Sequence, residues 1–80
     1  MTETELELAR GHVLRVRIII GRQIARVRSL KAAGADDATI AVAESTLTNF
    51  ETSQRIFEEH LEMLEAEAKG RGEIRAAGRP

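Results

Sequence analysis

The chain has 80 residues and a formal net charge of −1, with two Phe, no Trp, no Tyr and no cysteine. That length allows one domain at most, and a domain so small buries a low fraction of its surface. Without cysteine, no disulfide or thiolate metal site can supplement the core. Stability must come from long helices, from oligomerisation, or from both.

The single Pro is the last residue, while Ala, Glu, Arg and Leu are frequent. These features favour helix, because nothing interrupts the interior and the common residues are good helix formers. No apolar run is long enough to span a membrane. The opening MTETELELAR is acidic, whereas a secretory signal starts basic and continues apolar. A cytoplasmic location is the resulting expectation.

In chain order, Thr2-x-x-Glu5 and Thr4-x-x-Glu7 have the spacing of a capping box. They predict a first helix over about residues 4–33. Its apolar seam is Leu6, Ala9, Val13, Val16, Ile20, Gln23, Val27 and Leu30, with spacings alternating between three and four. The next break is KAAGADDA, residues 31–38. Gly34 suits the left-handed position that ends a helix, and Asp36 or Asp37 can cap the one that follows. This predicts a turn over 34–36.

The second helix is expected over about 37–69. Its seam is Ile40, Ala43, Leu47, Phe50, Gln54, Phe57, Leu61, Leu64 and Ala68, again in heptad rhythm. Gly70 and Gly72 are expected to stop it, leaving 70–80 as a flexible tail. At 1.5 Å per residue each helix is about 45 Å long.

Folding the chain at Gly34 pairs the two seams in one register. Leu30 meets Ile40, Val27 meets Ala43, Gln23 meets Leu47, and Ile20 meets Phe50. Val16 then meets Gln54, Val13 meets Phe57, Ala9 meets Leu61, and Leu6 meets Leu64. Charge supports the same alignment. Residues 10–35 hold Arg10, Arg15, Arg17, Arg22, Arg26, Arg28 and Lys31 with no acid, while 36–69 are strongly acidic. One flank aligns Arg10, Arg17, Ile24 and Lys31 with Glu65, Glu58, Glu51 and Glu44, which selects orientation more than it adds stability. The predicted fold class is all-α, a coiled-coil-like antiparallel two-helix hairpin.

The run Ile18-Ile19-Ile20 exceeds what a hairpin needs. A helix turns about 100° per residue, so three consecutive isoleucines are apolar on three sides. The seam uses Ile20 and leaves Ile18 and Ile19 over. A second stripe of Gly11, Leu14, Ile18, Gly21 and Ala25 lies off the first seam, and the second helix adds Val42, Asn49, Ile56 and Met63. The remaining flank, with His12, Ile19, Arg26 and Ala33 beside Thr46, Ser53 and His60, is nearly free of acids. Surplus apolar surface marks an interface. The expected partner is a second copy of the chain, giving a homodimeric four-helix bundle, with a helix of a partner protein as the alternative occupant. Its candidate interface residues are Leu14, Ile18, Ile19, Gly21, Ala25 and Ile56.

Residues with chemical potential are few. His12 and His60 fall at one level of the hairpin, but a metal site needs a third ligand, and Glu5 and Glu67 are two turns away. Solvated or hydrogen-bonded imidazoles are the plainer expectation. Arg15, Arg22, Arg26 and Arg28 lie off the acid-matched flank and form the candidate nucleic-acid surface. No aromatic residue is placed to stack on bases. Gln23 and Gln54 interrupt the seams, where a polar residue costs stability and specifies register. No catalytic triad, phosphate-binding loop or other catalytic motif is recognisable. The expectation is a non-enzymatic protein without cofactor or metal.

The stretch GRQIARVRSLKAAGADDATIAVAESTLTNFETSQRIFEEHLEML resembles a group of short, uncharacterised bacterial proteins frequent in alphaproteobacteria. Those share an Arg-Gln segment, a Leu, a Gly-x-Asp turn, and then Ala, apolar, Phe and His positions before a final Leu. The matching positions are Arg22, Gln23, Ile24, Leu30, Gly34, Asp36 or Asp37, Ala43, Leu47, Phe50, His60 and Leu64. The chain departs in an extra residue near the turn and in Ile24 directly after Arg-Gln. The resemblance implies a small helical bacterial protein and brings no activity with it. The functional expectation is a self-associating protein-interaction module, with nucleic-acid binding through the basic first helix as the alternative.

Overall fold

The structure, a computed structural model, describes residues 3–77, with the side chains of residues 4–70. Helix α1 spans Glu3–Ala32 and helix α2 spans Asp37–Ala77. They pack against each other as an antiparallel hairpin, and no strand occurs among the described residues.

The reversal is built as the turn sequence implies. Gly34 has φ of +73°, a left-handed conformation that costs glycine little because it has no Cβ. The Ala35 N–H donates to the Leu30 carbonyl at 3.0 Å, and the Gly34 N–H to the Lys31 carbonyl at 3.2 Å. This pair of reverse bonds satisfies carbonyls that the end of α1 would otherwise leave open. Between the two candidate caps, Asp36 takes the role. Its Oδ1 accepts the Thr39 N–H at 2.8 Å. The Thr39 hydroxyl and then the Thr39 N–H hold the Asp36 carboxyl below its ordinary value.

The heptad reading places the core. Every seam residue named above is buried or half-buried. Leu6, Ala9 and Leu64 form a buried cluster with Leu61 and Ala68 packed against it, matching the expected layers at that end. The acid–base flank is also in register. Arg10 pairs with Glu65 at 3.5 Å, Arg17 with Glu58 at 3.7 Å and Lys31 with Glu44 at 3.5 Å. All three pairs are about half-exposed, so each contributes under about 1 kcal/mol.

Two expectations need correction. Helix α2 does not stop at Gly70 or Gly72; its backbone stays helical to Ala77. A mid-helix glycine costs only about 1 kcal/mol against alanine, and here Glu73 to Ala77 supply residues compatible with helix. Residues 78–80 lie outside the described residues. At the other end Thr4 sits inside α1 rather than capping it, and Thr2 lies outside the described residues.

The core is thin. Only Leu6, Ala9, Val13, Val27, Ala43, Leu64 and Gln54 are buried among the described residues, and no side chain is below 2% exposure. Two helices side by side form a rod of 68 × 15 × 14 Å, which leaves no third layer to close over the seam.

Candidate functional site

Each helix of the hairpin has one stripe turned to its partner, two flanks and an outer face. The flank carrying Arg10, Arg17 and Lys31 is matched by acids of α2. The opposite flank is not. There α1 contributes Glu5, His12, Ile19 and Arg26, and α2 contributes Thr46, Ser53, His60 and Glu67, so that the two acids stand only at the end away from the turn. Heptad phase sets Leu8 of α1 and Val42, Ile56 and Met63 of α2 beside this flank. All four are exposed, as is Ile19 at 38%. Thr46 turns its hydroxyl back to the Val42 carbonyl at 3.0 Å, which occupies its proton within its own helix. The flank is therefore rich in apolar surface and poor in acids.

The six candidate interface residues are all exposed, but they do not form one patch. Ile19 and Ile56 belong to the acid-poor flank. Leu14, Gly21 and Ala25 lie on the outer surface of α1, away from α2. Ile18, 56% exposed, belongs to the same outer stripe, one heptad from Ala25. The sequence spacing joined them because a helix wheel shows which residues surround one helix, not which faces two helices share. Leu8 gives no periodic apolar signal, because its heptad phase is otherwise filled on α1 by Arg15, Arg22 and Ser29.

The four candidate nucleic-acid residues are exposed as well. Arg15, Arg22 and Arg26 border the acid-poor flank, and Arg28 sits beside Gly21 and Ala25 on the outer surface. No carboxylate forms an ion pair with any of the four among the described residues. Arg26 also lines a shallow hollow near the turn together with Gln23, Leu30, Thr39, Val42 and Thr46.

His12 and His60 do come to one level, lining a second open hollow with Glu5, Leu8 and Leu64. Among the described residues no group of three metal-binding side chains occurs. The His12 ring instead stacks on Phe57, with centroids 5.7 Å apart and planes 16° from parallel. An imidazole here covers the open edge of a core aromatic. Sequence spacing gave the level of the two histidines but not this contact, which depends on the rotamer.

The seam glutamines have a definite task. Gln23 Nε2 donates to the Ala43 carbonyl at 2.9 Å and Gln54 Nε2 to the Val13 carbonyl at 3.1 Å. Each amide thus crosses to the backbone of the facing helix and ties the two helices at a set height. The Gln54 Oε1, in a side chain from a residue 7% exposed, has no partner.

No helix among the described residues is long and apolar enough to cross a membrane. Compared with known family models, curated proteins and solved structures, the chain matches none.

Proposed function

We propose that this protein is a non-enzymatic interaction module that acts as a homodimer, two hairpins closing over their acid-poor flanks into a four-helix bundle. The observation that carries this reading is a two-layer core without one fully buried side chain among the described residues, next to a flank bearing Leu8, Ile19, Val42, Ile56 and Met63. The accessible surface is 6081 Å² for 8.8 kDa, about 1300 Å² more than a compact chain of that mass exposes. That excess covers the area a standard interface removes, about 800 Å² per partner. A second hairpin would cover Ile19 and Ile56 together and complete the core.

The test is the solution mass, by light scattering, of the native chain and of the Ile19→Glu, Ile56→Glu variant. A native dimer that becomes a monomer or unfolds in the variant is expected. A folded native monomer would refute the reading.

A second reading has its own support in the unmatched Arg15, Arg22, Arg26 and Arg28. Those cations suit a phosphate backbone, with affinity falling steeply as salt rises. A gel shift at low salt that disappears at moderate salt is its signature; no shift at low salt ends it.

A further inference from the structure

We infer that the two hairpins pack with their turns at the same end, so that the basic α1 of one copy lies against the acidic α2 of the other. This rests on self-association through the acid-poor flank. A twofold axis that lays one flank on its copy has two orientations. If it runs along the helices, both turns share an end and α1 neighbours α2 of the other copy. If it runs across them, the turns lie at opposite ends and like helices stack, α1 on α1 and α2 on α2.

Apolar area does not separate these arrangements, because both cover the same flank. Charge does. From Arg10 to Lys31, α1 carries seven cations and no acid. Stacking α1 on its copy sets Arg15, Arg22 and Arg26 of one chain among the same residues of the other. Packed helix axes are about 8–10 Å apart, close to the screening length of about 8 Å at physiological salt, so this repulsion is not removed by the solvent. Like charges placed together are among the strongest means by which an interface rejects a geometry.

Helix α2 offers those arginines a different surface. On this flank it has Thr46, Ser53, His60 and, at the end away from the turn, Glu67, with Asn49 beside them. The same-end arrangement also keeps the heights of the hairpin. Leu8 stands level with Met63, Ile19 with Ser53, Arg22 with Asn49 and Arg26 with Thr46. Apolar side chains then meet near the start of α1, and the arginines meet hydroxyl and amide oxygens toward the turn. Arg15 and Arg22 lie at the rim, where their stems cover apolar surface and their guanidinium groups stay wet.

Since the chain contains no cysteine, single cysteines give clean spin-label sites. Ala38→Cys labels an exposed position in the first turn of α2, and Glu62→Cys labels an exposed position near the far end. Each labelled variant is first weighed by light scattering, and the label–label distance is then measured by pulsed dipolar resonance. The expected result is a dimer with distances under about 30 Å at both sites, set by helix spacing. A dimer with either distance above about 35 Å overturns the arrangement but not the dimer, because opposed turns make the two axial separations sum to about 72 Å, twice the rise of the residues from Ala38 to Glu62. A monomer of 8.8 kDa with no dipolar signal overturns both. Agreement between the two sites guards against a local effect of either substitution.

Discussion

Replacing Gln54 by Leu is expected to make the protein more stable. The Gln54 amide gives one bond to the Val13 carbonyl at 3.1 Å, while its Oε1 is buried with no partner. A typical intramolecular hydrogen bond adds about 0.5–1.5 kcal/mol, whereas a buried unsatisfied polar atom costs about 1–3 kcal/mol. Leucine loses the first and removes the second. It has nearly the same volume, so it leaves little cavity, and a well-buried Leu side chain contributes about 1.5–3 kcal/mol. The Val13 carbonyl lies within α1 and keeps its helical acceptor role. The net expectation is a gain of about 2 kcal/mol. For a domain of this size, 1 kcal/mol moves the melting temperature by about 4–8 °C, so the shift should be about 10 °C or more.

The assay is thermal unfolding followed by helical circular dichroism at one fixed protein concentration, since a dimer melts in a concentration-dependent way. A lower melting temperature for Gln54→Leu would refute the reasoning, by showing that Oε1 has a partner after all or that the Val13 bond is worth far more than usual. The gain should have a cost in specificity. Gln54 ties α2 to α1 at one height, and a leucine accepts neighbouring registers. Exchange broadening in the NMR spectrum of the more stable variant is the expected sign.

Gly34→Ala meets no atom within 4 Å, but its φ of +73° strains any residue with a Cβ; a loss of about 1 kcal/mol in denaturant unfolding is expected. Gly21→Ala also meets nothing within 4 Å and keeps a helical backbone, so it should gain about 1 kcal/mol; a loss of dimer instead would move the interface to the outer face of α1. The Asp36 carboxyl is depressed below its ordinary 3.8 by the Thr39 hydroxyl first and the Thr39 N–H second. Its stabilisation is therefore complete above that value and is lost as pH falls through the lower, folded value. Asp36→Asn keeps the acceptor, so its melting temperature should approach that of the native chain as the pH falls below 3.8, and parallel curves would refute the cap. A double-mutant cycle on Arg17 and Glu58 should give a coupling below about 0.5 kcal/mol that fades in 1 M salt.

Most of the hairpin was legible because its two strongest signals agree. Seam spacing and flank charge each choose a register, and they choose the same one. Gly34 followed by Asp36 then leaves the turn little freedom. What was not legible depends on three dimensions rather than on period. Glycine at 70 and 72 reads as a stop, yet its modest cost is outweighed by the helix formers after it. The stacking of His12 on Phe57 and the carbonyl contacts of Gln23 and Gln54 depend on rotamers, on which spacing is silent. The candidate interface joins Leu14 with Ile19, which lie on different faces of α1. Both are exposed and apolar, but only a pair of helices defines which flank each one joins.

The isoleucine run can now be divided by direction. Ile20 closes the seam with α2. Ile19 turns to the acid-poor flank, where the proposed second copy covers it. Ile18 lies at the back of α1, in the stripe with Leu14, Gly21 and Ala25. A helix with a single partner has no use for three apolar directions, and each exposed isoleucine raises the risk of nonspecific association. The surrounding Arg15, Arg17, Arg22, Arg26 and Arg28 limit that risk by making α1 repel its own copies. In the proposed dimer the same repulsion makes an acidic α2 the favoured neighbour on the flank, so that apolar area drives association and charge decides which helix is admitted.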